Sequence, residues 1–188
     1  MTLLALLRHA ETAWSVEGRI QGHTDVPLSE SGRGALRGRA LPRDCTGMKM
    51  VTSPLARCVE TAALLGAPQA GREPRIAEMR WGAWEGRLLA ELRLELGAAM
   101  RDNEARGLDF RPEGGESPRE VLSRVQNWLN EISAPTLAIT HRGVIRVVLA
   151  AATGWDLRGP PPAKLDWGAV HFFRLAGGRP SIERLNVR

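Results

Sequence analysis

The chain has 188 residues, 43% hydrophobic and 25% charged, a balance that suits one globular domain spanning 1–188 with a sizeable core. No apolar stretch approaches the roughly 18 residues that cross a bilayer. The N-terminus lacks the pattern of a secretion signal, and Cys45 and Cys58 are too few for a disulfide framework, so the expected setting is cytoplasmic. The net charge of +5 comes from scattered arginines, with only Lys49 and Lys164 as lysines; no basic block or aromatic-basic alternation points to nucleic acid.

The first element is the apolar run Leu3 to Leu7, read as a buried strand that delivers Arg8 and His9 at its C-terminal end. A polar, glycine-containing loop follows from Glu17 to Ser31. Ser29 or Ser31 then caps a helix predicted to reach about Leu41, stopped by Pro42. Met48 to Thr52 reads as a second strand. Ser53-Pro54 reads as the start of a helix, serine as cap and proline in the first turn, with Arg57 close behind. Ile76 to Glu85 is irregular, Leu88 to Met100 helical, and Asp102 to Gly115 a polar loop.

Ser117-Pro118-Arg119-Glu120 is a capping box with proline at the first helical position, opening a helix to about Ile132. Thr136 to Thr140 is a third buried strand ending in His141, and Val144 to Ala152 is helical. Pro160 to Pro162 marks a rigid loop. Ala169 to Leu175 and Ser181 to Asn186 close the chain as two strands around Gly177-Gly178. Strands alternating with helices predict a single α/β domain whose central sheet is largely parallel and flanked by helices.

Three predicted strands thus end in pointed chemistry: Arg8-His9, then Ser53 to Arg57, then His141-Arg142-Gly143. In open α/β sheets ligands bind at that strand edge. Arginine grips phosphate or carboxylate through paired hydrogen bonds, and helix N-termini favour anions. An anionic substrate is the expectation. A zinc site built from His9, His23 and His141 is disfavoured, because these lack the close spacing of common zinc motifs. His23 and His171 are expected to be structural or at the surface.

The chain resembles the histidine phosphatase superfamily, the phosphoglycerate mutase-like group. The resemblance rests on Arg8-His9-Ala10-Glu11-Thr12, on Gly18-Arg19-Ile20-Gln21-Gly22 leading to Asp25-Val26-Pro27-Leu28-Ser29, and on Ser53-Pro54-Leu55-Ala56-Arg57 with Thr61-Ala62. It continues through Glu78 before Gly82-Ala83-Trp84-Glu85-Gly86, then Gly114-Gly115-Glu116-Ser117 and Thr140-His141, in the expected order.

The resemblance implies a phosphoglycerate mutase-like fold. It also implies a metal-independent phosphomonoesterase in which His9 is the nucleophile, Glu78 the proton donor, and Arg8, Arg57 and His141 the phosphoryl-binding groups. Ser15, Gln21, Gly22 and Arg142 are further candidates for substrate binding. No metal or cofactor is implied, and the partner is a small phosphorylated metabolite, as for α-ribazole or broad-specificity phosphatases. Cations beside His9 disfavour a second positive charge there and keep its lone pair free. An arriving phosphate dianion favours the protonated form of Glu78, which can then assist the leaving oxygen.

Ala10, Ser15 and Arg142 stand where glycine, asparagine and glycine are usual in the family, which bears on substrate detail. Glu11 and Glu85 are alternative acids. Trp81 and Trp84 either line the pocket or pack as core. Two rival functions are a phosphoglycerate mutase, disfavoured here because cofactor-dependent mutases are longer, and a non-catalytic phospho-ligand binding protein.

Overall fold

A computed structural model describes residues 1–188. In chain order its elements are β1 (Thr2–Arg8), α1 (Ala13–Val16), α2 (Glu30–Leu36), β2 (Lys49–Thr52), α3 (Ala56–Leu64), β3 (Gly71–Arg72) and α4 (Leu89–Glu104). After these come α5 (Pro118–Leu129), β4 (Thr136–Thr140), α6 (Arg142–Thr153), β5 (Val170–Ala176) and β6 (Arg179–Val187). The six strands form one sheet in the order β3-β2-β4-β1-β5-β6. The four strands β3, β2, β4 and β1 run parallel, whereas β5 pairs antiparallel with β1 and β6 antiparallel with β5.

The continuous apolar run of β1 follows from burial on both faces. Successive side chains point to opposite sides. Leu4 and Leu6 pack with Val121 and Val125 of α5 and Val144 and Val148 of α6. Ala5 and Leu7 face the other way, onto Cys58 and Ala62 of α3. A third, small cluster of Trp84, Leu92 and Met100 joins the first through Trp81 and Phe110, which pack against both. No helix is long and apolar enough to cross a membrane.

Three sequence expectations are corrected. The helix after Ser29 ends at Leu36 rather than near Leu41, because Arg37 is extended and Gly38 takes a left-handed conformation at φ 71°. Helix α3 starts two residues later than expected, with Leu55 rather than Ser53 at its cap position; the Ser53 hydroxyl is turned to His141 Nε2 and accepts only from the non-helical Leu55 N–H, at 3.4 Å.

The predicted loop from Asp102 begins as the last turn of α4 and includes a short 3₁₀ turn at Gly107–Asp109. The Asn103 side chain there both donates to and accepts from the Arg111 backbone, giving this polar segment its own hydrogen bonds. The stretch around α1 is partly ordered by a capping box between Thr12 and Ser15. The Ser117 capping box and the bounds of β4 match the sequence reading.

Candidate active site

The C-terminal ends of β1, β2 and β4 lie side by side, and backbone bonds carry the pairing one residue past the strands. His9 N–H donates to Thr140 O at 2.9 Å, and Ser53 N–H donates to Ile139 O at 2.9 Å. His9 and His141 are thereby brought together, ring centroids 5.2 Å apart. His9 opens on a cavity of about 860 Å³ lined by Arg8, His9, Glu78, Ser15, Gln21 and Arg142 among others. Arg57, His141 and Gly22 lie behind that wall, Arg57 and His141 with no solvent exposure.

His9 Nδ1 lies 2.7 Å from the Ala10 carbonyl, an acceptor only, so Nδ1 carries the hydrogen and Nε2 keeps its lone pair. Burial, then the Arg8 and Arg57 charges, hold the ring far below the ordinary histidine pKa, so it is neutral. His141 is lowered well below its ordinary value too, by burial and then by Arg57. Its Nε2 meets Ser53 Oγ at 2.7 Å and lies 3.4 Å from Cys58 Sγ.

The two arginines differ in how they are held. Arg57 donates to Gly22 O at 2.8 Å and Thr24 O at 3.4 Å, while its Nε has no partner. The buried Nε of Arg8 is also unpartnered, as is Gln21 Nε2, although Gln21 Oε1 accepts from Thr12 at 2.9 Å. Unsatisfied buried donors are rare; two of them on the cavity wall and a third behind it suit an oxygen-rich anion.

Glu78 is buried and fixed by backbone donors. Its Oε1 accepts from Met79 N–H at 2.9 Å and its Oε2 from Gly143 N–H at 3.1 Å, at the N-terminus of α6. Arg124 donates to the Glu78 carbonyl at 3.0 Å and His23 meets it at 2.7 Å, so His23 braces the cavity wall. Glycine at 143 leaves room for the carboxyl, since a Cβ there would sit 2.2 Å from Glu78 Oε1.

The alternative acids are occupied elsewhere. Glu85 accepts from the backbone of His23 at 2.9 Å, Thr24 at 2.7 Å and Trp81 at 3.2 Å, pinning the loop that Arg57 also holds. Glu11 caps the start of α2 through Ser29 and Ser31. Ser15 Oγ is spent on Thr12 within α1, although the residue lines the cavity. Trp81 lines the cavity; Trp84 packs in the small third cluster. His171 is buried in β5 and accepts from Asn186 N–H at 3.3 Å. No three His, Cys, Asp or Glu side chains are grouped to hold a metal ion.

Sequence reasoning missed Ser53 as a partner of His141, Arg124 as a brace of Glu78, and Arg146 as a cavity residue. Only Arg146 left a signal: it lies four positions after Arg142, hence on the same helical face.

A family model described as histidine phosphatase superfamily, branch 1, matches residues 4–188. The chain is 31% identical to phosphoserine phosphatase 1 of Hydrogenobacter thermophilus, covering 100% of this chain and 93% of that protein. It is 33% identical to a 2,3-bisphosphoglycerate-dependent phosphoglycerate mutase of Methylobacterium radiotolerans, over 98% of this chain and 90% of the relative. Among solved structures, phosphoglycerate mutase from Thermus thermophilus matches with a TM-score of 0.75 at 34% identity, covering 100% of both chains.

Proposed function

This chain belongs to the histidine phosphatase superfamily, and on that premise we propose that it is a metal-independent phosphomonoester hydrolase working through phosphohistidine. The observation that carries the proposal is His9, a neutral ring on the cavity wall whose Nδ1–H is tied to Ala10, leaving Nε2 free to attack phosphorus. As the N–P bond forms, the ester P–O bond breaks and its electrons stay with the leaving oxygen, which takes a proton from Glu78. Water then attacks the phosphohistidine, Glu78 accepts its proton, and inorganic phosphate leaves with the His9 lone pair restored.

Arg8 and Arg57 supply the charge stabilisation on which phosphoryl transfer depends, their free Nε–H groups being available donors. His141, beside His9, completes the phosphoryl site. Gln21 adds an amide donor, Ser15 shapes the wall, and Gly22 serves by accepting from Arg57 through its carbonyl. We read 1–188 as one histidine phosphatase domain, which the family match from residue 4 onward supports. We place it in the cytoplasm, in keeping with two free, buried cysteines.

The mutase reading shares the first half of this chemistry but returns the phosphoryl group to an acceptor. Length does not separate the two, since a relative named as a mutase is covered over 90% of its length. The test is p-nitrophenyl phosphate in chelator-treated buffer. Sustained release of inorganic phosphate is the expected result. A single stoichiometric burst indicates a mutase, and no release of either product overturns the hydrolase.

Glu78→Gln is expected to slow alkyl phosphates at least about tenfold more than p-nitrophenyl phosphate, because a good leaving group needs little protonation. Equal losses on both substrates would remove Glu78 from the acid role. Gly143→Ala should reproduce the same split without loss of stability. The Cβ meets the flexible end of Glu78, which can yield, so the fold survives while the carboxyl is misplaced. A thermal midpoint within a few degrees of wild type, measured beside the two kinetic profiles, checks this.

A further inference from the structure

The cavity is far larger than a phosphoryl group, and its cations do not stop at Arg8. Arg142 and Arg146 also line it, one turn apart on the same face of α6. Neither makes an ion pair or a hydrogen bond; each is held only against an indole. The Arg142 guanidinium lies 5.0 Å from the centroid of Trp167, and that of Arg146 lies 5.1 Å from Trp155.

This arrangement is electrostatically unfavourable in three ways. Like charges four apart on a helix repel. Arg142 begins α6, where the helix dipole already disfavours a cation. Arg146 is half-buried, and its charged form is disfavoured by burial and then by Arg142. The carboxylates that line the cavity relieve it only in part. Glu78 favours the charged form of Arg146, but less than burial and Arg142 oppose it, and its oxygens are taken by two backbone amides; Glu104 is taken by Arg93 at 2.7 Å. An arginine pair kept rigid by aromatic stacking and left without an anion is a preorganised receptor for one.

We propose that Arg142 and Arg146 form a second anion subsite, and that the substrate is a phosphomonoester bearing a second anionic group, a carboxylate or another phosphate. The proposal rests on the phosphomonoester reading above and adds its substrate class. The two Nη edges, one turn apart, can bind one bidentate oxyanion or bridge its oxygens, while His9 takes the phosphoryl end. Trp81 and Phe110 also line the cavity, which suits a carbon body.

The test compares alkyl phosphates with ω-carboxyalkyl phosphates and α,ω-alkanediol bisphosphates of matched length, from two to six carbons. At the best length, the anionic tail is expected to raise wild-type kcat/KM at least about tenfold over the alkyl phosphate, as charged hydrogen bonds allow. The carboxylate and bisphosphate arms identify which anion is preferred. Arg146→Gln and Arg142→Gln should each reduce that ratio at least about threefold, with Arg146→Lys keeping most of it. A ratio near one at every length, or Gln variants that preserve it, overturns the subsite.

The same ratios measured as Kd for the corresponding non-hydrolysable phosphonates decide the matter without turnover. A tail preference in binding with no hydrolysis keeps the subsite and removes the hydrolase. Hydrolysis with no tail preference does the reverse. Thermal midpoints of the three variants exclude misfolding as the cause of a lost ratio.

Discussion

His9→Ala should lose turnover by several orders of magnitude on every phosphomonoester, because removing a nucleophile takes away a bond that no other group forms. The ring is buried beside His141, but it lies at a strand end on the cavity wall, and its one side-chain hydrogen bond is to the neighbouring carbonyl. The variant should therefore remain folded. Residual activity above about a tenth of wild type would sink the phosphohistidine mechanism.

The same variant carries a signature in stability. His9 and His141 both have pKa values held far below the ordinary 6.5 or so. Below that value the unfolded chain binds protons that the folded chain refuses, so stability falls as the pH drops from 7 toward 5. The loss is up to about 2 kcal/mol per histidine at pH 5. Thermal midpoints at the two pH values should differ less in His9→Ala than in wild type. Identical differences would show that His9 is not held neutral.

The second large effect is expected at Arg57. Its guanidinium is fully buried and donates to the Gly22 and Thr24 carbonyls, while its Nε faces no partner. Arg57→Ala is expected to reduce kcat/KM by at least about tenfold, the equivalent of about 1.5 kcal/mol or more for charged hydrogen bonds to a phosphoryl group. It should also cost about 1–3 kcal/mol of stability, because the buried Gly22 carbonyl loses its donor. Glu85 still clamps the same loop through three backbone amides, so the loop should not unravel. A drop in thermal midpoint with unchanged kcat/KM would make Arg57 a structural tie alone.

The chemistry-bearing edge was legible because its signals are local. An apolar run that stops at Arg8-His9, or at His141, is a strand followed by its functional end, whatever the rest of the chain does. The Ser117 capping box was legible for the same reason, since cap, proline and Glu120 lie within four positions. Ser53 misled because its partner is 88 positions away: His141 claims the hydroxyl that local chemistry would assign to a helix cap.

Glu85 shows the same limit. As a carboxylate near Glu78 it reads as an acid, and only the folded loop shows its oxygens already occupied. The strand order was out of reach as well, since insertion of β4 between β1 and β2 depends on long-range pairing that no local pattern encodes.

Helix α4 is broken at Gly97, where φ is 50° and ψ −115°, and its two halves are tied by Arg93 to Glu104 across the break. Both halves reach the cavity, through Leu89 and Arg93 on one and Glu104 and Ala105 near the other, yet the segment keeps its own small apolar cluster. Trp81 and Phe110 pack against both that cluster and the larger core, so they form the seam on which the segment rests. Substitutions away from that seam should add independently to those at the strand edge. A lineage built on this plan can widen, narrow or recharge the substrate chamber by drift in one wall, provided the aromatic seam is kept, while His9 and Glu78 stay under unchanged constraint. Diversification of substrate and preservation of reaction are, in this architecture, separately heritable traits.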